Sequence, residues 1–195
     1  MNKPRQFSST LESLVEIKSD DVAPPEPVLA VPSLSRVLSE IGSLPREALF
    51  LGIALDGLPV LLNLHDPAPG PLLLVSDAGA GKTDFLKVLA QGVQQMHRSE
   101  VVQFGVITNH AEEWEGLESS SHYVGVFPLL ESRAQEFIHS LAVWAHTQRR
   151  SRQSVLLMID DLEVIPQLEP ATLHNLRWLL LRGTAHGVWP ILTLN

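Results

Sequence analysis

The sequence predicts an α/β domain with a mostly parallel central sheet, helices on both faces and a β-hairpin in front, and three stretches carry that prediction. The first is Pro71-Leu72-Leu73-Leu74-Val75, an apolar run that breaks into Ser76-Asp77-Ala78-Gly79-Ala80-Gly81-Lys82-Thr83. The second is Ser154-Val155-Leu156-Leu157-Met158-Ile159, which ends on Asp160 and Asp161. The third is the chain between and after them, where short apolar runs alternate with segments of helical period, the order expected of strands joined by helices.

The bulk properties set the frame. The 195 residues suffice for one α/β domain with a tail, and a hydrophobic share of 45% with mean hydropathy +0.11 suits a globular chain. No run approaches the ~20 apolar residues of a membrane helix, so no membrane span is expected. Without cysteine there is neither a disulfide framework nor a thiolate metal site, and the N-terminus lacks the apolar core of a secretory signal. A cytoplasmic location is the expectation. A formal charge of -8 argues against a large electrostatic footprint on nucleic acid from an isolated monomer.

In order, residues 1–32 are polar, then acidic, then rich in proline, with Pro24, Pro25, Pro27 and Pro32 enforcing extended backbone; they read as a flexible tail. Within it Leu11, Leu14 and Val15 share a face of a short amphipathic piece ending at Ile17. The domain is expected over 33–195. Ser33 to Gly42 is predicted as a short helix, capped by Ser33 and closed by Gly42. From Ala48 to Leu64 apolar residues alternate around Asp56-Gly57, with Leu51, Ile53 and Leu55 assigned to one face, which predicts a hairpin. After the proline-rich loop 65–71, the run Leu72–Val75 is predicted as a strand buried on both faces.

Phe85, Leu89, Val93 and Met96 then recur at helical spacing, Val101–Thr108 and Tyr123–Phe127 read as strands, and Glu131–Arg150 as a long helix with Phe137, Leu141, Trp144 and Ala145 inward. Its basic end, Arg149, Arg150 and Arg152, complements the helix dipole or contacts an anion in a neighbouring subunit. Ala171–Arg182 is the last helix, and Val188–Asn195 the last strand. His65, His110, His122, His174 and His186 show no metal-ligand spacing and read as surface histidines.

The chemistry lies at the ends of two strands. Backbone N–H groups can wrap a polyphosphate only where side chains nearly vanish, and a lysine and a hydroxyl at the following helix N-terminus complete the site. Ser76 through Thr83, with Asp84 beside them, are therefore the nucleotide-binding candidates. Lys82 is placed at the β/γ-phosphates and Thr83 at a Mg²⁺. A carboxylate at the C-terminal end of a buried parallel strand can hold the same metal, and the next acid can orient or deprotonate the attacking water. Asp160 takes the first role and Asp161 the second. Asn195 falls at the end of the last strand, toward the γ-phosphate side.

From Leu51 to Asn195 the chain resembles the FtsK/SpoIIIE branch of the FtsK–HerA P-loop ATPases. The residues that carry the resemblance are "LGIALDGLPVLLNL" leading into "PLLLVSDAGAGKT" (a Walker A loop), "VLLMIDDLEVI" (a Walker B strand) and "LRGTAHGVWPILTLN" (a turn and sensor strand). The Asp160-Asp161 block and the "SDAGAGKT" loop are especially similar to the repeated ATPase modules of type VII secretion motors. The resemblance implies the P-loop NTPase fold, Mg-ATP bound at subunit interfaces of a homo-oligomer or larger assembly, DNA or protein moved as substrate, and Asn195 as a polar sensor among the catalytic residues.

Four positions depart from the family pattern. Ser76 stands for the first loop glycine, Asp161 for a glutamate, Thr184 where relatives often offer an arginine, and Asn195 for a glutamine. Each weakens hydrolysis more than binding, and an aspartate at 161 holds its water a methylene farther away. The strands expected after the sensor are lacking, which reads as a minimal or truncated member. Three functions therefore stand side by side: an ATPase driving DNA or protein translocation, a non-hydrolysing module that uses ATP as structural glue or as a switch for partner binding, and a nucleotide-free adaptor with a relic loop.

Overall fold

The sheet is organised around β6 (Ser154–Ile159), whose six residues are all buried. Leu156 and Met158 point into one hydrophobic cluster, and Val155, Leu157 and Ile159 into another, because successive side chains of a strand leave opposite faces. A strand covered on both sides needs apolar residues at every position, and this one has them. The structure, a computed structural model, describes residues 32–147, 152–160 and 162–195. The amphipathic piece ending at Ile17, the arginines 149 and 150, and Asp161 lie outside the described residues.

Five strands form the sheet: β3 (Leu72–Val75), β4 (Val102–Thr108), β5 (Tyr123–Pro128), β6 and β7 (Val188–Leu194). Their spatial order is β3-β7-β6-β4-β5, and every pairing is parallel. Parallel neighbours require crossovers, which the helices supply. α2 (Lys82–Met96) follows β3, α3 (Ser132–Thr147) follows β5, and α4 (Pro170–Arg182) lies between β6 and β7. α2 buries Leu86, Leu89, Ala90 and Val93 against Phe104, Leu156 and Ile191 on one face. On the other, Phe137, Ile138 and Leu141 of α3 and Leu176 and Leu179 of α4 cover Val155, Leu157 and Leu192. Each buried Val, Leu, Ile or Phe among them stabilises the fold by roughly 1.5–3 kcal/mol of transfer free energy.

Ahead of the sheet, α1 (Leu34–Ile41) starts at Ser33, whose hydroxyl accepts from the Arg36 amide, and ends at Gly42 with φ 81°. The hairpin of β1 (Ala48–Ile53) and β2 (Pro59–Asn63) is antiparallel, and its turn is closed by Asp56, which accepts from the Leu58 amide. Leu49 and Leu64 are buried beneath it, and the Trp189 indole donates to Leu64 O at 3.2 Å, pinning hairpin to sheet.

Three expectations are corrected. Leu51, Ile53 and Leu55 do not share one face: the register shifts between Phe50 and Gly52, and Leu51 packs on the core while Ile53 and Leu55 are exposed. His122 is no surface histidine; it is buried, with Nε2 2.9 Å from His97 O. β3 is not buried on both faces. Among the described residues it pairs with β7 alone, Leu72 and Leu74 face the α2 cluster, and Leu73 and Val75 are 49% and 62% exposed. An apolar run reports the chemistry of its side chains, not the place of its strand in the sheet.

Candidate functional site

Between β3 and α2 the chain reverses direction through a loop with few side chains. Gly79 and Gly81 have φ of 77° and 89° with open space where a Cβ would stand, so both glycines are required by conformation, not by crowding. Ser76 donates its N–H to Leu194 O at 3.3 Å, continuing the ladder with β7. Its backbone is thus strand-like. α2 begins at Lys82 without a side-chain cap on its first turn, which leaves amide donors at an exposed helix N-terminus, the arrangement that accepts an anion.

Strand order decides what faces this loop. β7 lies between β3 and β6, so the loop, the end of β7 and the end of β6 stand side by side at one rim of the sheet. Asp160, directly after β6, is 2% exposed and fully engaged: Oδ2 accepts from Thr83 Oγ1 at 2.7 Å and Oδ1 from Thr193 Oγ1 at 2.6 Å. A buried carboxylate is costly unless its oxygens are hydrogen-bonded, and the two hydroxyls meet that need. They also tie the helix start and β7 to the acidic strand.

Lys82 turns back over the loop. Its Nζ donates to Ser76 O at 2.9 Å, Asp77 O at 3.0 Å and Asn195 Oδ1 at 2.6 Å. Asn195 in turn donates its backbone N–H to Glu163 Oε1 at 2.8 Å and its Nδ2 to Glu163 Oε2 at 3.2 Å. Glu163 stands on the 3₁₀ turn Leu162–Gln167 that follows the acidic strand.

The loop, Lys82, Thr83, Asp84, Asp160 and Asn195 border a cavity of about 390 Å³. His110 and Glu113, just past the end of β4, form another part of its wall. Glu113 is carried by the turn Ala111–Trp114, which His110 precedes and the buried Trp114 anchors, and Glu113 pairs with Lys87 of α2 at 3.2 Å.

The candidates from sequence therefore fall as follows. Ala78, Gly79, Gly81, Lys82, Thr83, Asp84, Asp160 and Asn195 line one cavity, Ser76 and Asp77 do not line it but accept from Lys82 through their carbonyls, and Ala80 is exposed on the loop. Asp161 lies outside the described residues. Sequence reasoning missed Thr193, Glu163, His110 and Glu113. A threonine two residues before the end of an otherwise apolar strand was the legible signal for Thr193; the other three come from segments whose path only the fold determines.

No family model and no curated protein matches the sequence. Solved structures do match it in fold. EccC ATPases 2 and 3 of Thermomonospora curvata, in complex with a signal sequence peptide, superpose with TM-score 0.61 at 18% identity over 86% of this chain and 31% of that one. The cytoplasmic domain of the type VII secretion ATPase EccC from the same organism gives 0.62 at 17% over 84% and 19%. EssC ATPases 2 and 3 from Geobacillus thermodenitrificans give 0.59 at 16% over 87% and 36%. The chain thus spans about a third of each or less, and the likeness is one of fold, the α/β fold that those ATPase domains share. Among the described residues no helix is long and apolar enough to cross a membrane.

Proposed function

We propose that this chain binds Mg-ATP and hydrolyses it within an oligomer that moves DNA or a protein chain, in the cytoplasm. The observation that carries the reading is the Asp160 carboxylate, buried and shared by Thr83 and Thr193, directly beneath an open, glycine-turned anion site. Loop amides and Lys82 would bind the β- and γ-phosphates. Thr83 Oγ1 and Asp160 Oδ2, already adjacent at 2.7 Å, are hard oxygen donors of the kind Mg²⁺ takes, and a protein supplies that ion with only one or two ligands beside phosphate and water. The fit is good, and a metal held there would neutralise phosphate charge. Asp161 is proposed to orient and deprotonate the attacking water, and Lys82, with an arginine from a neighbouring subunit, to stabilise the transition-state charge. With a formal charge of -8, duplex DNA would be held weakly by the monomer and gripped only on assembly.

A second reading has its own support. Asn195 turns its carbonyl oxygen to Lys82 and one of its two amide N–H groups to Glu163, so a single side-chain donor is left for a γ-phosphate, and Glu163 fixes where it points. That favours a module which binds ATP as glue or switch without turnover. Affinity and turnover measured together, on the protein and on Lys82→Ala, separate the two: Mg-dependent binding with turnover supports the motor, and binding without turnover the switch. Absence of Mg-dependent binding at millimolar ATP overturns both.

A further inference from the structure

An ammonium carries three N–H donors, and those of Lys82 all find acceptors inside the chain, on Ser76 O, Asp77 O and Asn195 Oδ1. The shortest contact, 2.6 Å, is to Asn195. That side chain is itself fixed. Glu163 accepts from both its amide and its backbone N–H, at 3.2 and 2.8 Å. Turning the carboxamide over would set its NH₂ against the ammonium and its oxygen against the carboxylate, two repulsive contacts in place of two attractive ones. Glu163 therefore dictates which end of Asn195 meets Lys82.

We propose that Glu163 is a positioning residue: by clamping Asn195 it forms a latch that holds the Lys82 ammonium on the loop, and this latch opens when a polyphosphate enters. The proposal rests on the reading of the loop as an ATP site and adds a control to it. The sign of its effect follows from linkage, because a contact made only in the nucleotide-free state stabilises that state and lowers affinity by its own worth. Removing Glu163 should tighten ATP binding, by about three- to tenfold if one net hydrogen bond is at stake. A contact with a purely structural role would leave affinity unchanged or weaken it.

Glu163 is exposed, and its charge alone also repels ATP. Glu163→Gln removes that charge while keeping an oxygen to accept from Asn195, and screening by salt suppresses bulk repulsion more than a direct hydrogen bond. The test uses the full chain and two readouts: the rate at which an amine-acylating reagent labels Lys82 in nucleotide-free protein, resolved by mass spectrometry, and the Kd for Mg-ATP. Glu163→Ala is expected to label Lys82 several-fold faster and to bind Mg-ATP more tightly, with Glu163→Gln between it and the wild type and the gap persisting at raised ionic strength. Asn195→Ala should reproduce the faster labelling, and thermal melts establish that each variant is folded. Unchanged labelling in Glu163→Ala, or equal effects of the Ala and Gln variants that vanish with salt, overturns the latch. A wild type that binds no Mg-ATP would instead overturn the ATP reading, and the labelling still decides the latch.

Discussion

β3 and β6 begin from nearly the same sequence pattern, an apolar run that ends at a functional loop, yet they occupy opposite situations. β6 has neighbours on both edges and helices over both faces, with Leu156 and Leu157 wholly inaccessible. β3 has β7 on one edge only among the described residues and leaves Leu73 and Val75 in contact with solvent on one face. The acid of the site is thus mounted on the most enclosed strand and the glycine-turned loop on the most open strand of the five-stranded sheet. Burial is concentrated where a carboxylate is held out of water, and exposure where the loop carries Lys82.

That contrast has measurable consequences. The largest is expected from Leu157→Ala, which empties a fully buried position and should cost about 2–5 kcal/mol in a denaturant titration. Asp161→Asn follows: turnover should drop by about 10²-fold with ATP affinity nearly unchanged, the scale for losing a general base, and a protein that turns over readily but ignores this substitution has its base elsewhere. Lys82→Ala should weaken Mg-ATP by about tenfold in an equilibrium titration, because a charge-assisted phosphate contact is lost while the loop amides remain. Smallest is Leu73→Ala, within about 0.5 kcal/mol, as for exposed positions generally. Should Leu73→Ala prove as costly as Leu157→Ala, the outer face of β3 is covered in solution and the contrast fails.

The pairing of Thr83 with Asp160 was legible because both ends obey local rules, small residues for a positive φ and an acid closing an apolar strand. The helices were legible for the same reason, since period fixes which face is apolar. The position of β3 was not, because sheet order is set by long-range pairing that leaves no trace in a four-residue run. The shared face expected of Leu51, Ile53 and Leu55 does not hold, since an irregularity near Phe50 shifts the pleat and a one-residue slip exchanges the faces. Glu163 and His110 lie on short turns, where neither period nor motif operates.

β7 lies between the strand that carries the loop and the strand that carries the acid, bonded to both. Neighbouring strands of a sheet stand about 4.8 Å apart, so the two are held about 10 Å from each other by backbone hydrogen bonds alone. The span is a property of the main chain and is indifferent to which side chains are mounted on it. Mutation can therefore retune the chemistry at either lip of the cleft without changing the width of its mouth, whereas any motion that widens the cleft has to tear a ladder of the central sheet. Movement linked to the ligand is thereby confined to parts that hang from this gauge: the loop, the lysine and the turn that bears Glu163.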